Sequence, residues 1–290
     1  MTINWYPGHM HKARKEIRKA LPQVDLVIEI LDARLPYSSA NPVLDKLAES
    51  KPRLKLLSKS DLADPAITQI WVDFFEQSVE IRALPVVTTE ARTLNLLTRT
   101  CQQLVGQVRE SRSVKALVMG IPNVGKSTLI NTLTGKKIAR VGNEPAVTRQ
   151  QQKIQINDRL QIIDTPGLLW PRIEHEACAY RLAASGAIRD TAMDYEAVGY
   201  WAAGDLLTRY PDALIERYKL KSLPENAEGL LSEIARKRGG LRAGGVIDFH
   251  RASEVLLHDL RGAHLGRLSL ETPLDIPLET PESDLDEDNA

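Results

Sequence analysis

The chain has 290 residues and a mass of 32.3 kDa, and its 43% apolar and 26% charged content excludes wholesale disorder. It holds no apolar run of about 18 residues, so no membrane span is expected. Its start, with Trp5, Pro7 and His9 before a basic stretch, lacks the apolar core of a secretory signal. Eight acids and no Lys or Arg follow residue 270, so residues 1–270 carry 38 cations against 30 anions, a net of +8 hidden by an overall charge of zero.

In chain order, an N-terminal arm over residues 1–12, expected to be mobile, leads into a basic helix from His11 to Ala20. The run Leu26-Val27-Ile28-Glu29-Ile30-Leu31 predicts a buried strand ending at Asp32. A short helix from Pro42 to Ala48, a strand over Leu54–Leu57 and a helix from Pro65 to Gln77 follow. A third strand is expected over Leu84–Val87, then a helix from Leu94 to Val108, a strand from Val114 to Gly120 and a helix from Lys126 to Leu133. Residues 151–157 and 159–164 read as a hairpin turning at Asn157-Asp158. This alternation predicts an α/β fold with a doubly wound, mostly parallel sheet.

After Asp164 the periodicity is helical, with stops at Gly239-Gly240 and Gly262. The expected division is a nucleotide-binding domain over 1–173, a small all-helical domain over 174–270 and an acidic, disordered tail over 271–290. Two cysteines, Cys101 and Cys178, make neither a disulfide framework nor a metal cluster, and the expected location is the reducing cytoplasm.

The strongest local signal is Gly120-Ile121-Pro122-Asn123-Val124-Gly125-Lys126-Ser127-Thr128, a phosphate loop set between a predicted strand and helix. The amides from Asn123 through Val124, Gly125 and on to Thr128 would surround phosphate oxygens, with the helix N-terminus adding positive potential. Lys126 would reach the outer phosphates, and the Ser127 hydroxyl would ligate Mg2+. Downstream, Ile162-Ile163-Asp164-Thr165-Pro166-Gly167 ends a strand in an acid. Asp164 would hold Mg2+ through water and the Gly167 amide would sense a terminal phosphate. Between them, Thr148 is the candidate switch threonine closing on both metal and phosphate.

A base-reading element is missing downstream of Gly167, but Ser58-Lys59-Ser60-Asp61 stands after the second strand. A carboxylate there can accept from the ring NH and exocyclic amine of guanine, which adenine does not offer, while the Lys59 stem can lie along the base. The base element thus precedes the phosphate loop, a circular permutation that a sheet survives when termini lie close together.

With Trp5-Tyr6-Pro7-Gly8-His9-Met10 at the start, this motif order and Asp164 to Pro171 resemble the circularly permuted YlqF-type GTPase family, over about residues 3–270. The resemblance implies a GTPase that binds ribosomal RNA and acts late in assembly of the large ribosomal subunit, with the subunit precursor, its rRNA and ribosomal proteins as partners. A cytoplasmic monomer is expected. Two positions depart from the family pattern: Ser58 stands where asparagine is usual, and Ala146 where glycine is usual. The first predicts weaker guanine binding, the second altered switch closure.

Leu168 occupies the place where related GTPases carry a water-orienting glutamine. The resemblance points instead to His9 as the catalytic residue, against the alternative of a surface histidine packed beside Trp5. It also implies that Asn123 ligates K+, supplying positive charge beside the phosphates. In the helical domain Arg236, Lys237, Arg238, Arg242 and Arg251 are the candidate RNA contacts, against the alternative of a solvated helix face. Two other function classes stay open: a small-molecule phosphotransferase, which leaves Lys59 and Asp61 without a role, and a nucleotide-gated protein-binding switch without RNA.

Overall fold

The structure is a computed structural model and describes residues 15–106, 112–136, 152–165, 173, 175–188 and 193–277. A six-stranded sheet is formed by β1 (Leu26–Asp32), β2 (Arg53–Ser58), β3 (Ile81–Pro85), β4 (Val114–Gly120), β5 (Gln152–Asn157) and β6 (Leu160–Asp164). Its spatial order is β3-β2-β1-β4-β6-β5, parallel except where β5 runs against β6. The chain winds outward from β1 through β2 to β3, then resumes beside β1 with β4 and winds the other way. The crevice above β1 and β4 is therefore the topological switch point, where ligands of open α/β sheets bind.

Strand alternation decides which helices cover which face. Leu26, Ile28 and Ile30 of β1 and Val114, Ala116 and Val118 of β4 pack with Leu97 and Cys101 of α5 (Arg92–Val105) and Leu129 and Leu133 of α6 (Lys126–Thr134). Val27, Leu117 and Met119 face the other way, onto Ile17 of α1 (its described part, residues 15–20) and Leu44 of α3 (Pro42–Ala48). At the tips of β1 and β2 on that same face, Leu31 and Leu57 meet Trp71 of α4 (Pro65–Phe75). Short α2 (Pro36–Ser39), unforeseen in the sequence, turns the chain between β1 and α3.

The third strand runs from Ile81 to Pro85, three residues earlier than the apolar run Leu84–Val87 suggests. It is an edge strand, so Arg82 can point into solvent while its backbone pairs with Leu54 of β2. An apolar run marks burial on both faces, and an edge strand does not need it.

The helical region comprises α7 (Glu176–Ser185), α8 (Tyr195–Arg209), α9 (Pro211–Tyr218), α10 (Ala227–Arg238) and α11 (Phe249–Arg261). Asp194, Asn226 and Asp248 cap α8, α10 and α11 with their side chains, and Gly239, in the left-handed region, ends α10. Helices α8 and α11 cross closely at Gly199, where any Cβ would stand 2.1 Å from the Ser253 hydroxyl. Leu182, Val198, Leu206, Leu231, Ile234 and Leu256 join the same buried cluster as β1 and β4. The change at residue 174 is thus one of secondary structure, while the apolar core runs on across it.

The expected disorder from residue 271 onward is corrected over residues 271–277. Glu271 is fully buried and accepts from the Ser38 amide (2.9 Å), the Ser38 hydroxyl (2.5 Å) and Arg181 (3.2 Å). Asp275 closes a capping box with Thr272 on the 3-10 turn Pro273–Asp275 and pairs with Arg209 at 2.6 Å. Two of the eight tail acids are therefore structural, and six follow Pro277, outside the described residues. Both cysteines are free and buried; burial pushes the Cys101 thiol up to about 12. Among the described residues no helix is long and apolar enough to cross a membrane.

Candidate functional site

Register brings the motif-bearing strand ends to one level. Ile30 of β1 sits between Leu56 of β2 and Gly120 of β4, Asp32 opposes Ser58, and Asp164 of β6 opposes Val118. The phosphate loop leaves β4 at Gly120, where a Cβ would stand 2.9 Å from the Ile30 carbonyl. The loop turns through Asn123 (φ 62°) and Gly125 (φ 96°), both in the left-handed region, and enters α6 at Lys126. A non-glycine residue there is strained, and such strain concentrates at functional sites.

Lys126 is 7% exposed and donates to Asp164 at 2.6 Å and to the Thr165 carbonyl. The Thr165 hydroxyl donates to the Val118 carbonyl at 2.7 Å, which fixes the end of β6 against β4. Ser127 and Thr128 occupy the first turn of α6, half-buried. The Asn123 side-chain amide faces the carbonyls of Gly186 and Ala187 just beyond α7, both at 3.4 Å. Val124 is buried.

The base loop rises from β2 beside it. Ser58 is fully buried, and its hydroxyl lies 2.6 Å from the Val124 carbonyl and 2.8 Å from the Leu31 carbonyl. It ties the base loop to the phosphate loop. Lys59 stands in the left-handed region (φ 55°), and its ammonium donates to Asp32 at 2.8 Å. Asp61, one turn further, is exposed. Thr88, in the loop after β3, lies beside Gly125, within 3.4 Å of where a Cβ would stand.

Sequence reasoning assigned no role to Asp32 and Arg34. Asp32 is 2% exposed and held bidentately by Arg34, at 2.9 and 2.8 Å. Burial alone would raise its pKa, but the Arg34 and Lys59 charges override that and hold the carboxyl well below the usual range. Arg34 also donates to the Ser185 carbonyl at the end of α7 (3.2 Å), and the Asp61 charge adds to its stabilisation. The available signal was an acid closing a fully apolar strand with a cation two residues on.

The five candidate RNA contacts all carry partners within the chain. Arg236 pairs with Glu233, Arg242 with Asp248 and Arg251 with Glu254, at 2.7, 2.8 and 2.8 Å. Lys237 and Arg238 donate to the carbonyls of Lys219 and Arg217, and Arg238 lies over the Tyr218 ring. Arg236 and Lys237 line one groove with Lys221, but Glu225, Glu228 and Glu233 line it too. His9, Thr148 and Gly167 lie outside the described residues, as do Ala146 and Leu168.

Hard oxygen donors suit Mg2+: the Ser127 hydroxyl stands in the first turn of α6 and the Asp164 carboxylate at the end of β6, where Lys126 takes one of its two oxygens at 2.6 Å. Elsewhere His258, Asp259 and His264 approach one another closely enough to suggest a metal. Arg217, however, grips both oxygens of Asp259 at 2.7 and 2.8 Å, so the carboxylate is already neutralised.

A family model described as "50S ribosome-binding GTPase" matches residues 115–194. Ribosome biogenesis GTPase A of Priestia megaterium is 39% identical over 94% of this chain and 98% of its own length. Mitochondrial ribosome-associated GTPase 1 of Mus musculus is 32% identical over 93% of this chain and 90% of its own. The GNP-bound crystal structure of YlqF from T. maritima matches with a TM-score of 0.64 at 28% identity, over 91% of this chain and 100% of that one. Likeness at this identity along nearly the full length of both chains, on a sheet that carries a phosphate loop at its switch point, means that the chain belongs to the ribosome biogenesis GTPase A family and is a GTPase.

Proposed function

We propose that the chain is a GTP-hydrolysing assembly factor that binds ribosomal RNA and acts in late maturation of the large ribosomal subunit, in the cytoplasm and as a monomer. The observation that carries this reading is the convergence of Ser58–Asp61, Gly120–Thr128 and Asp164 at the C-terminal ends of the neighbouring strands β2, β4 and β6, in a chain whose relatives are named for ribosome biogenesis or ribosome association. Asp61 accepts from the guanine ring NH and amine, and the Lys59 stem lies along the base. The amides from Asn123 to Thr128 cradle the phosphates, and Lys126 neutralises the outer ones. Ser127, Thr148 and Asp164 hold Mg2+, which when bound offsets phosphate charge, and Gly167 reports the terminal phosphate.

His9 orients the attacking water, a task Leu168 cannot perform, since it neither donates nor accepts. Asn123 turns its Nδ2 toward Gly186 and Ala187, so the opposite, oxygen side of the amide is the atom suited to K+. His9→Ala should leave GTP affinity within about threefold while cutting particle-stimulated turnover about tenfold or more.

The RNA surface uses Arg236, Lys237, Arg238, Arg242 and Arg251. The ion pairs of Arg236, Arg242 and Arg251 lie at the solvent-exposed surface, where such pairs are weak, so phosphates can displace the carboxylates. The same pairing favours the alternative, a nucleotide-gated protein-binding switch without RNA. Co-sedimentation separates the two: with a GTP analogue, and not with GDP, the protein should sediment with large-subunit particles, and it should retain rRNA in a filter assay. Neutralising Arg236, Lys237 and Arg238 together should lower the log-affinity against log-salt slope by up to about three units. Particle binding without any rRNA retention would give the protein-binding reading.

A further inference from the structure

We propose that Arg267 and the extended segment from Arg267 to Glu271 position the guanine-reading loop, so that nucleotide selectivity depends on a C-terminal strap. The inference rests on the reading of Asp61 as the guanine acceptor. The strap begins after α11 at a turn through Gly266, whose φ of 87° lets the chain reverse. Arg267 then forks onto the base loop, its Nη2 donating to the Ser60 carbonyl at 2.8 Å and its Nε to the Ala63 carbonyl at 3.0 Å. The Leu268 amide takes the Leu62 carbonyl at 3.0 Å, and the Ser269 hydroxyl accepts from the Asp64 amide at 3.2 Å. Three carbonyls and one amide around Asp61 are thus held by three consecutive strap residues.

Both sides of the strap are anchored. Toward the sheet, the Leu270 amide donates to the Arg34 carbonyl at 2.7 Å, Trp71 donates to the Glu271 carbonyl and Ser38 donates to the Glu271 carboxylate. Toward the helices, Tyr210 donates to the Ser269 carbonyl and accepts from its amide, while Arg181 of α7 donates to the Leu270 carbonyl at 3.1 Å. Residues 268–271 are 5% exposed or less. The segment therefore transmits the position of α7 and of the α8–α9 junction to both flanks of Asp61: directly to Ser60–Asp64, and through Arg34 and Asp32 to Lys59. Whatever displaces the helical region changes guanine affinity, and by linkage guanine binding changes affinity for that partner by the same factor.

The Asp61 loop contains no glycine, and Lys59 sits in a strained conformation, so the loop geometry is sustained from outside. Arg267 is a positioning residue: it acts on the nucleotide through the loop. The discriminating quantity is the ratio of dissociation constants for IDP and GDP, since inosine lacks the exocyclic amine that Asp61 accepts from. Loss of folded protein scales both constants alike and leaves the ratio fixed.

In the full chain, Asp61→Asn should lower that ratio by about tenfold or more, and Arg267→Ala by about three- to fivefold, because a displaced carboxylate loses part of a charge-assisted bond. Arg267→Lys, which can reach one carbonyl of the two, should fall between Arg267→Ala and the wild type. Ser269→Ala reads the same ratio should Arg267→Ala fail to fold, and is expected to lower it about twofold. A ratio unchanged in the Arg267 and Ser269 variants while Asp61→Asn loses it overturns the role of the strap. A ratio unchanged in Asp61→Asn removes the base-reading assignment itself, and the strap's part in selectivity with it.

Discussion

The loop from Gly120 to Lys126 takes its shape from its own residues: two left-handed positions at Asn123 and Gly125, a close approach at Gly120 that excludes a Cβ, and a helix starting at Lys126. The loop from Ser58 to Asp64 has one left-handed position, at Lys59, and no glycine, and α4 starts only after it ends, at Pro65. Its carbonyls are held by residues more than 200 positions away in the chain, and Lys59 is pinned to Asp32 across the neighbouring strand. A phosphate group is the same in every nucleotide, so a rigid local cradle serves it. A base must be distinguished from others, and the loop proposed to read it has three carbonyls held by the strap residues Arg267 and Leu268, whereas the phosphate loop meets the helical region only through the longer Asn123 contacts at 3.4 Å. The two halves of the site should therefore fail differently when perturbed.

The largest expected effect falls on the phosphate half. Lys126→Ala removes a buried ammonium from the loop and should weaken GDP and GTP binding by about a hundredfold or more, since bonds between charged partners are the strong ones. Calorimetric titration checks it. The IDP-to-GDP ratio should stay fixed within about twofold, because Lys126 bonds Asp164 and Thr165 rather than the base loop; a large change in that ratio would mean that the two loops act as one unit.

Next comes Asp32, beneath the base half. Asp32→Asn leaves the Arg34 guanidinium buried without its carboxylate and should cost about 3–5 kcal/mol of folding stability at pH 7. The folded-state pKa of Asp32 is lowered, so its contribution is present above the ordinary value of 3.8 and is lost as pH falls toward the folded-state value. Urea denaturation should then show the gap between wild type and variant narrowing below about pH 4. A gap of equal size at pH 7 and pH 3 would mean that shape, rather than charge, makes Asp32 necessary.

This contrast also explains what could be read in the sequence. Five of the six strands, the phosphate loop, the glycine stops of α10 and α11 and the permuted order all rest on short-range patterns, and the structure matches them to within a residue or two. Asp61 is legible as a candidate because a motif carries it. The residue proposed to support it is not, because Arg267 follows a turn in a segment with no periodicity, and its partners lie over 200 residues away. The tail was misjudged at Glu271 and Asp275 for a related reason: counting acids treats every carboxylate as solvated, whereas these two meet Arg181 and Arg209. The start of β3 was missed because edge strands tolerate Arg82.

The smallest effect tests the tie between the two halves. The sequence suggested that serine at position 58 weakens guanine binding because it replaces a longer amide, and that Ser58→Asn would tighten it. In the structure the Ser58 hydroxyl shares its single proton between the Val124 and Leu31 carbonyls in a fully buried place. A larger side chain there meets β1 and the phosphate loop, and overpacking costs about 1–3 kcal/mol. Ser58→Ala is the cleaner variant, since it deletes the hydroxyl and adds nothing. It should lower stability by about 1 kcal/mol, the net worth of an ordinary hydrogen bond. Because the lost bond joins the loops without touching the base, GDP and IDP should weaken together, about two- to fourfold each, with their ratio unchanged. A ratio that falls in Ser58→Ala as it does in Asp61→Asn would put Ser58 in contact with guanine and return the base half to a local motif. A ratio that holds, beside one that falls in Arg267→Ala, separates a residue that couples the two loops from one that aims the carboxylate.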